Sequence, residues 1–180
     1  MNLLSEENAI FLFIDVQEKL VNMLTDSSVK NCAIKLAKTA QILDIPTIIS
    51  EQYPKGLGET ISEIKEACTN ADYIEKTSFS IYLQDDFVQL LKSKNKKQVV
   101  LFGIETHICV LQTAFDLVNN GYEVFVVEEA CGSRLQKNKD FALSRMQQNG
   151  IQVLSLEMVL FELLKSSKHE CFKQVQALIK

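Results

Sequence analysis

The chain has 180 residues, 47% of them hydrophobic and 23% charged, with six Gly and two Pro, a composition that excludes low-complexity, collagen-like and disordered classes. Its length suits one globular domain, residues 1–180, with a core large enough to need no metal or disulfide staple. A net charge of −4, with basic residues scattered apart from the group Lys92, Lys94, Lys96 and Lys97, argues against a nucleic-acid partner and gives that group the reading of a solvated loop.

The acidic start and the short apolar run Ala9 to Ile14 fit neither a signal peptide nor a membrane span, so no membrane partner is expected. Five cysteines, at 32, 68, 109, 131 and 171, are odd in number and lack Cys-x-x-Cys spacing. They imply a reducing, cytoplasmic setting rather than a disulfide framework or a zinc ribbon.

In chain order, β-rich runs are expected at Ala9 to Asp15, Thr47 to Ser50, Asp72 to Lys76, Gln98 to Gly103, Glu123 to Val127 and Gln152 to Leu154. The first, fourth and fifth are apolar on both faces, as strands between two helix layers must be. Helices are expected at Gln17 to Leu24, Ser28 to Leu43, Ile81 to Leu91, Ile108 to Asn119 and Asn138 to Asn149, the last two closed by Asn-Gly pairs that favour left-handed C-caps. A final apolar stripe of Phe172, Val175, Leu178 and Ile179 suits docking on the sheet or on another subunit.

Repeated strand, helix, strand units with right-handed crossovers predict an α/β fold: an open, mostly parallel six-stranded sheet in the Rossmann-like order 3-2-1-4-5-6, with helices on both faces. Ligands in such folds sit beyond the carboxyl ends of the strands. Three reactive side chains fall there. Asp15 ends the first run, Lys76 ends the third, and Cys109 follows the fourth in the first turn of a helix. Taken singly they read as an N-cap, a surface ammonium and a small buried hydrophobe; together they form a constellation suited to nucleophilic catalysis. Backbone N–H groups at the helix start, with Lys76 nearby, are expected to lower the Cys109 thiol pKa and favour the thiolate. Cys32, Cys68 and Cys171 read as buried apolar residues, and Cys131 as a loop residue with no evident partner.

The segments Phe13-Ile-Asp-Val-Gln17, Glu51-Gln-Tyr-Pro-Lys-Gly-Leu-Gly58, Lys76-Thr-Ser-Phe-Ser80, Gly103-Ile-Glu-Thr-His-Ile-Cys-Val110 and Glu129-Ala-Cys-Gly-Ser-Arg134 resemble the isochorismatase-like cysteine hydrolases, and among them the isochorismatase domain-containing proteins. The resemblance runs nearly end to end. It implies an Asp15, Lys76, Cys109 triad, a non-proline cis peptide between Ile104 and Glu105, and an oxyanion hole made by the backbone N–H groups of Glu105 and Cys109.

It also implies a small-molecule amide or related carbonyl substrate and association into a homo-oligomer, a dimer or larger. The metal-binding Asp-x-His motif of nicotinamidase relatives is replaced here by Ser50-Glu-Gln, and the chain has only His107 and His169, so no metal and no cofactor is expected. Gln17, Tyr53, Phe79 and Tyr82 are candidate substrate contacts. His107 is read as a helix-start contact rather than a catalyst.

Overall fold

The computed structural model describes residues 2–180. Six strands form one sheet: β1 (Ala9–Ile14), β2 (Thr47–Gln52), β3 (Asp72–Lys76), β4 (Gln98–Ile104), β5 (Glu123–Gly132) and β6 (Gln152–Leu154). They are parallel throughout and lie in the order β3-β2-β1-β4-β5-β6, as expected. Every residue of β1 and β4 is buried, which is why these two apolar runs occupy the centre.

Helices cover both faces. In chain order they are α1 (Glu18–Val21), α2 (Ser28–Ile42), α3 (Pro54–Leu57), α4 (Ser62–Ala67), α5 (Asp85–Ser93), α6 (Leu111–Asn119), α7 (Gln136–Gln148), α8 (Leu156–Leu164) and α9 (Phe172–Gln176). Helices α2 and α8 pack on β5 and on each other, with α9 against α2, while α6 and α7 pack against each other and also contact β5. Val29, Ala33, Leu36, Ala37 and Ala40 of α2 are buried, so the apolar stripe read from the sequence is the face turned to the core.

Helices α6 and α7 end ahead of Gly121 and Gly150, both at φ near +80°, the left-handed C-caps that their Asn-Gly pairs announce. Three helices, α3, α4 and α8, were not anticipated. The first two are only four and six residues long. Helix α8 is apolar almost all round, Leu-Glu-Met-Val-Leu-Phe-Glu-Leu-Leu, and a short apolar run carries little helical periodicity.

Strand β5 runs five residues further than its apolar core suggested and takes Cys131 with it. Cys131 is therefore a fully buried strand residue rather than a loop residue, its thiol pushed up to about 12 by burial. The sheet order reverses between β1 and β4, and the crevice beyond their carboxyl ends is where an open parallel sheet offers a site.

Gly103 makes close approach of these strands possible. It sits opposite Ile14 at φ +137°, and a Cβ there would lie 2.0 Å from the Ile14 carbonyl oxygen.

Candidate active site at the carboxyl ends of the strands

Asp15 is the first residue past β1, with φ 52°, a left-handed conformation that Asp tolerates better than most side chains. It is fully buried, and both of its oxygens are engaged. Oδ1 accepts from the Ser50 hydroxyl at 2.6 Å and Oδ2 accepts from the Lys76 ammonium at 2.6 Å. The Asp15 and Lys76 side chains are both wholly excluded from solvent, so this is an internal ion pair.

A buried pair persists only where hydrogen bonds satisfy its remaining protons and lone pairs. Lys76 meets that condition, giving its other protons to Gln52 Oε1 at 2.7 Å and the Ser78 carbonyl at 3.3 Å. The register explains both sets of partners. Ser50 lies opposite Ile14, the last residue of β1, and Gln52 lies opposite Lys76. Two positions apart on β2, Ser50 and Gln52 share one face of the sheet.

Cys109 lies in a π turn, Thr106–Val110, that continues into α6. Val110 N–H bonds back five residues to the Glu105 carbonyl, and Leu111 N–H to that of Thr106. Such single wide turns inside helices are frequent at functional sites. The charges of Asp15 and Lys76 both act on its thiol, which sets the sulfur beside their ion pair. Of the three residues, Cys109 keeps the most surface, 7% against 0% for Asp15 and 3% for Lys76.

The thiol is not acidified. Burial, with the Asp15 charge second, pushes it up to about 12, and Lys76 offsets this only partly. The expected lowering thus yields to desolvation: a carboxylate already occupies the ammonium, so the resting group is a neutral thiol beside an ion pair.

The Ile104–Glu105 peptide bond is cis. The Glu105 carbonyl accepts from Ile108 and Val110, whereas among the described residues no hydrogen-bond acceptor is found for its own N–H outside regular elements. The Glu105 carboxylate is turned toward the β5–α7 turn, held by Arg134 Nε at 2.9 Å and Arg134 N–H at 3.1 Å. His107 is a packing contact at the helix start, its Nδ1 3.0 Å from Ser133 Oγ and its Nε2 3.5 Å from Asn138 Nδ2.

Of the candidate substrate contacts, Gln17 is fully buried. Its side chain accepts from Gln52 N–H and donates to the carbonyls of Gln52 and Gly58, so it ties the β1 exit to the β2–α4 segment. Tyr53 adopts a left-handed φ of 39° and its ring lies over Gly56, where an added Cβ would meet it at 2.4 Å. It lines an open cleft of about 330 Å³ with Lys55, Glu75, Lys76, Thr77 and Gln84; Asp15 and Cys109 do not line it. Phe79 is 54% exposed on the β3–α5 loop, while Tyr82 packs edge-on against Phe87 at 6.2 Å. Asp15 and Lys76 thus form one ion pair beside Cys109; Tyr53 shares its cleft with Lys76, and Gln17 holds Gln52, which bonds Lys76 in turn. Ser50, Gln52 and Arg134 have no role in the sequence reading, and the only signal for the first two is their shared parity at the end of β2.

Residues 9–158 match the Isochorismatase domain family model. The chain belongs to the isochorismatase family. This isochorismatase-family protein is 38% identical over 177 residues to isochorismatase domain-containing protein 2 of Xenopus laevis, covering 98% of this chain and 85% of that one. Its structure superposes on the MAR1 ribonuclease of Caenorhabditis elegans with a TM-score of 0.92 and 37% identity, covering 99% of this chain and 92% of that one. It superposes equally on the ycaC gene product of Escherichia coli, described as an octameric hydrolase of unknown specificity, with a TM-score of 0.93 and 27% identity over 98% and 89% of the two chains. The fold is that of an isochorismatase-like hydrolase.

Proposed function

We propose that the protein is a metal-independent cysteine hydrolase acting on a small amide or related carbonyl compound. The observation that carries this reading is the solvent-excluded Asp15–Lys76 pair set against the Cys109 thiol at the sheet's switch point. Cys109 is the nucleophile, Asp15 the general acid and base, and Lys76 the cation that stabilises the thiolate.

The resting thiol is neutral, so its proton passes to Asp15 as sulfur attacks the carbonyl carbon. The oxyanion that forms is met by the N–H groups of Glu105 and Cys109. Asp15 then gives its proton to the leaving amine, the C–N bond breaks, and a thioester remains. Water gives a proton to Asp15 and attacks the thioester; the carboxylic acid departs and the sulfur regains its proton. No step calls on a metal. A homo-oligomer in a reducing, cytoplasmic setting belongs to the same reading, supported by the octameric E. coli neighbour and by five free cysteines.

The test is a panel of small amides, carbamoyl compounds and nicotinamide, run with wild type and Cys109→Ala. Turnover is expected with wild type and a loss of at least about 10³-fold in the variant. An active Cys109→Ala protein on a verified substrate would overturn the assignment. RNA is included because one neighbour is named a ribonuclease; cleavage that survives Cys109→Ala would point to a different site.

A further inference from the structure

We propose that Gln52 is a positioning residue: its side-chain carbonyl holds one Lys76 proton away from the Cys109 sulfur, so that only the proton shared with Asp15 is free to move. This rests on the reading of Cys109 as nucleophile and extends it to a residue outside the triad.

An ammonium has three protons to give and no more. In Lys76 all three are allotted, to Asp15 Oδ2 at 2.6 Å, Gln52 Oε1 at 2.7 Å and the Ser78 carbonyl at 3.3 Å. Stabilising a thiolate therefore requires one of these bonds to be given up. The carboxylate bond is the one that the chemistry itself weakens, because Asp15 becomes a neutral acid when it accepts the thiol proton, and a charged acceptor binds about twice as strongly as a neutral one. The ammonium proton then turns from Asp15 to sulfur while the other two bonds stay in place. Proton transfer and thiolate stabilisation become one coupled exchange.

Gln52 is built to stay in place. Its Nε2 donates to the Thr77 carbonyl at 2.9 Å, which fixes which end of the amide faces Lys76. Its main chain is clasped on both sides by Gln17, which accepts from Gln52 N–H at 2.7 Å and donates to the Gln52 carbonyl at 3.1 Å. This also gives buried Gln17 a purpose.

The charged groups facing the sulfur are Asp15 from the end of β1 and Lys76 from the end of β3. Just ahead of the π turn Glu105 is turned away to Arg134, and on it His107 is turned to Ser133, while α7 brings neutral Asn138 near His107. Lys76 is therefore the one cation through which a change at residue 52 reaches the sulfur.

The experiment compares Gln52→Leu with Gln52→Glu in the full chain, following alkylation of Cys109 by iodoacetamide at pH 9 by mass spectrometry of the Cys109 peptide. Both variants lose the bond to Thr77, so that loss cancels between them. Leu leaves a Lys76 proton with no acceptor but the sulfur, and alkylation should run about tenfold faster than wild type. Glu puts a second carboxylate on the ammonium, and alkylation should run about tenfold slower.

A purely structural role, in which Lys76 drifts when its anchor is lost, makes both variants slower. That result, or a Leu variant no faster than wild type, overturns the proposal. The two readings fail separately: an active Cys109→Ala protein removes the nucleophile, whereas an inactive one with unsplit alkylation rates removes only the role of Gln52.

Discussion

Lys76→Met strips the single ammonium from a carboxylate that has no access to water. Asp15 would keep only the Ser50 hydroxyl on Oδ1 and its side chain would remain wholly buried. Breaking a buried pair from one side costs about 3–5 kcal/mol, because the surviving charge has neither a counter-charge nor solvent. Asp15→Asn strands the ammonium in the same way, with Gln52 and Ser78 as its remaining acceptors, and Asn is the replacement best able to keep the left-handed φ of 52°.

The double variant removes both charges and should lie within about 2 kcal/mol of wild type, since desolvation and attraction vanish together. The coupling energy of the cycle should then reach at least about 3 kcal/mol. Urea unfolding at pH 7 reads it: with a slope of about 2 kcal/mol per M, each single variant loses roughly 2 M in midpoint and the double variant recovers most of it. Additive losses would refute the claim that Asp15 and Lys76 stabilise this fold as one unit.

Gly103→Ala should cost upwards of about 4 kcal/mol and lower Tm by about 10 °C or more, because its Cβ collides with the Ile14 carbonyl; a Tm near wild type would contradict the close approach of β1 and β4. Arg134→Ala removes a half-exposed side chain and should change stability by less than about 1 kcal/mol. By loosening the Glu105 turn it should lower kcat about tenfold with KM unchanged, whereas an unchanged kcat would separate that turn from catalysis.

Stability should also fall in alkali. Cys32, Cys109 and Cys131 are each pushed up to about 12 from an ordinary 9.0, chiefly by burial, so the folded chain keeps protons that the unfolded chain releases. That contribution is intact below pH 9 and is lost as pH rises from 9 toward 12. Thermal melts with reductant at pH 7 and pH 10.5 measure it, and equal melting temperatures would count against it.

The strands were legible because burial on both faces leaves β1 and β4 almost no choice of residue, and the helix ends because Asn120-Gly121 and Asn149-Gly150 supply a conformation other residues resist. The three reactive side chains were legible from their places at strand ends: Asp15 directly follows β1, Lys76 is the last residue of β3, and Cys109 lies in the turn that follows β4. Local sequence could not tell that Ser50 and Gln52 serve them. A residue 35 positions from Asp15 and another 24 from Lys76 become neighbours only through the register of β2 between β1 and β3.

Nor could it set the state of the Cys109 thiol. A helix start and a nearby lysine favour the anion, but its ionisation depends on how completely water is excluded and on which acceptor the lysine already holds. Both are properties of the packed interior, and here they keep the proton on sulfur.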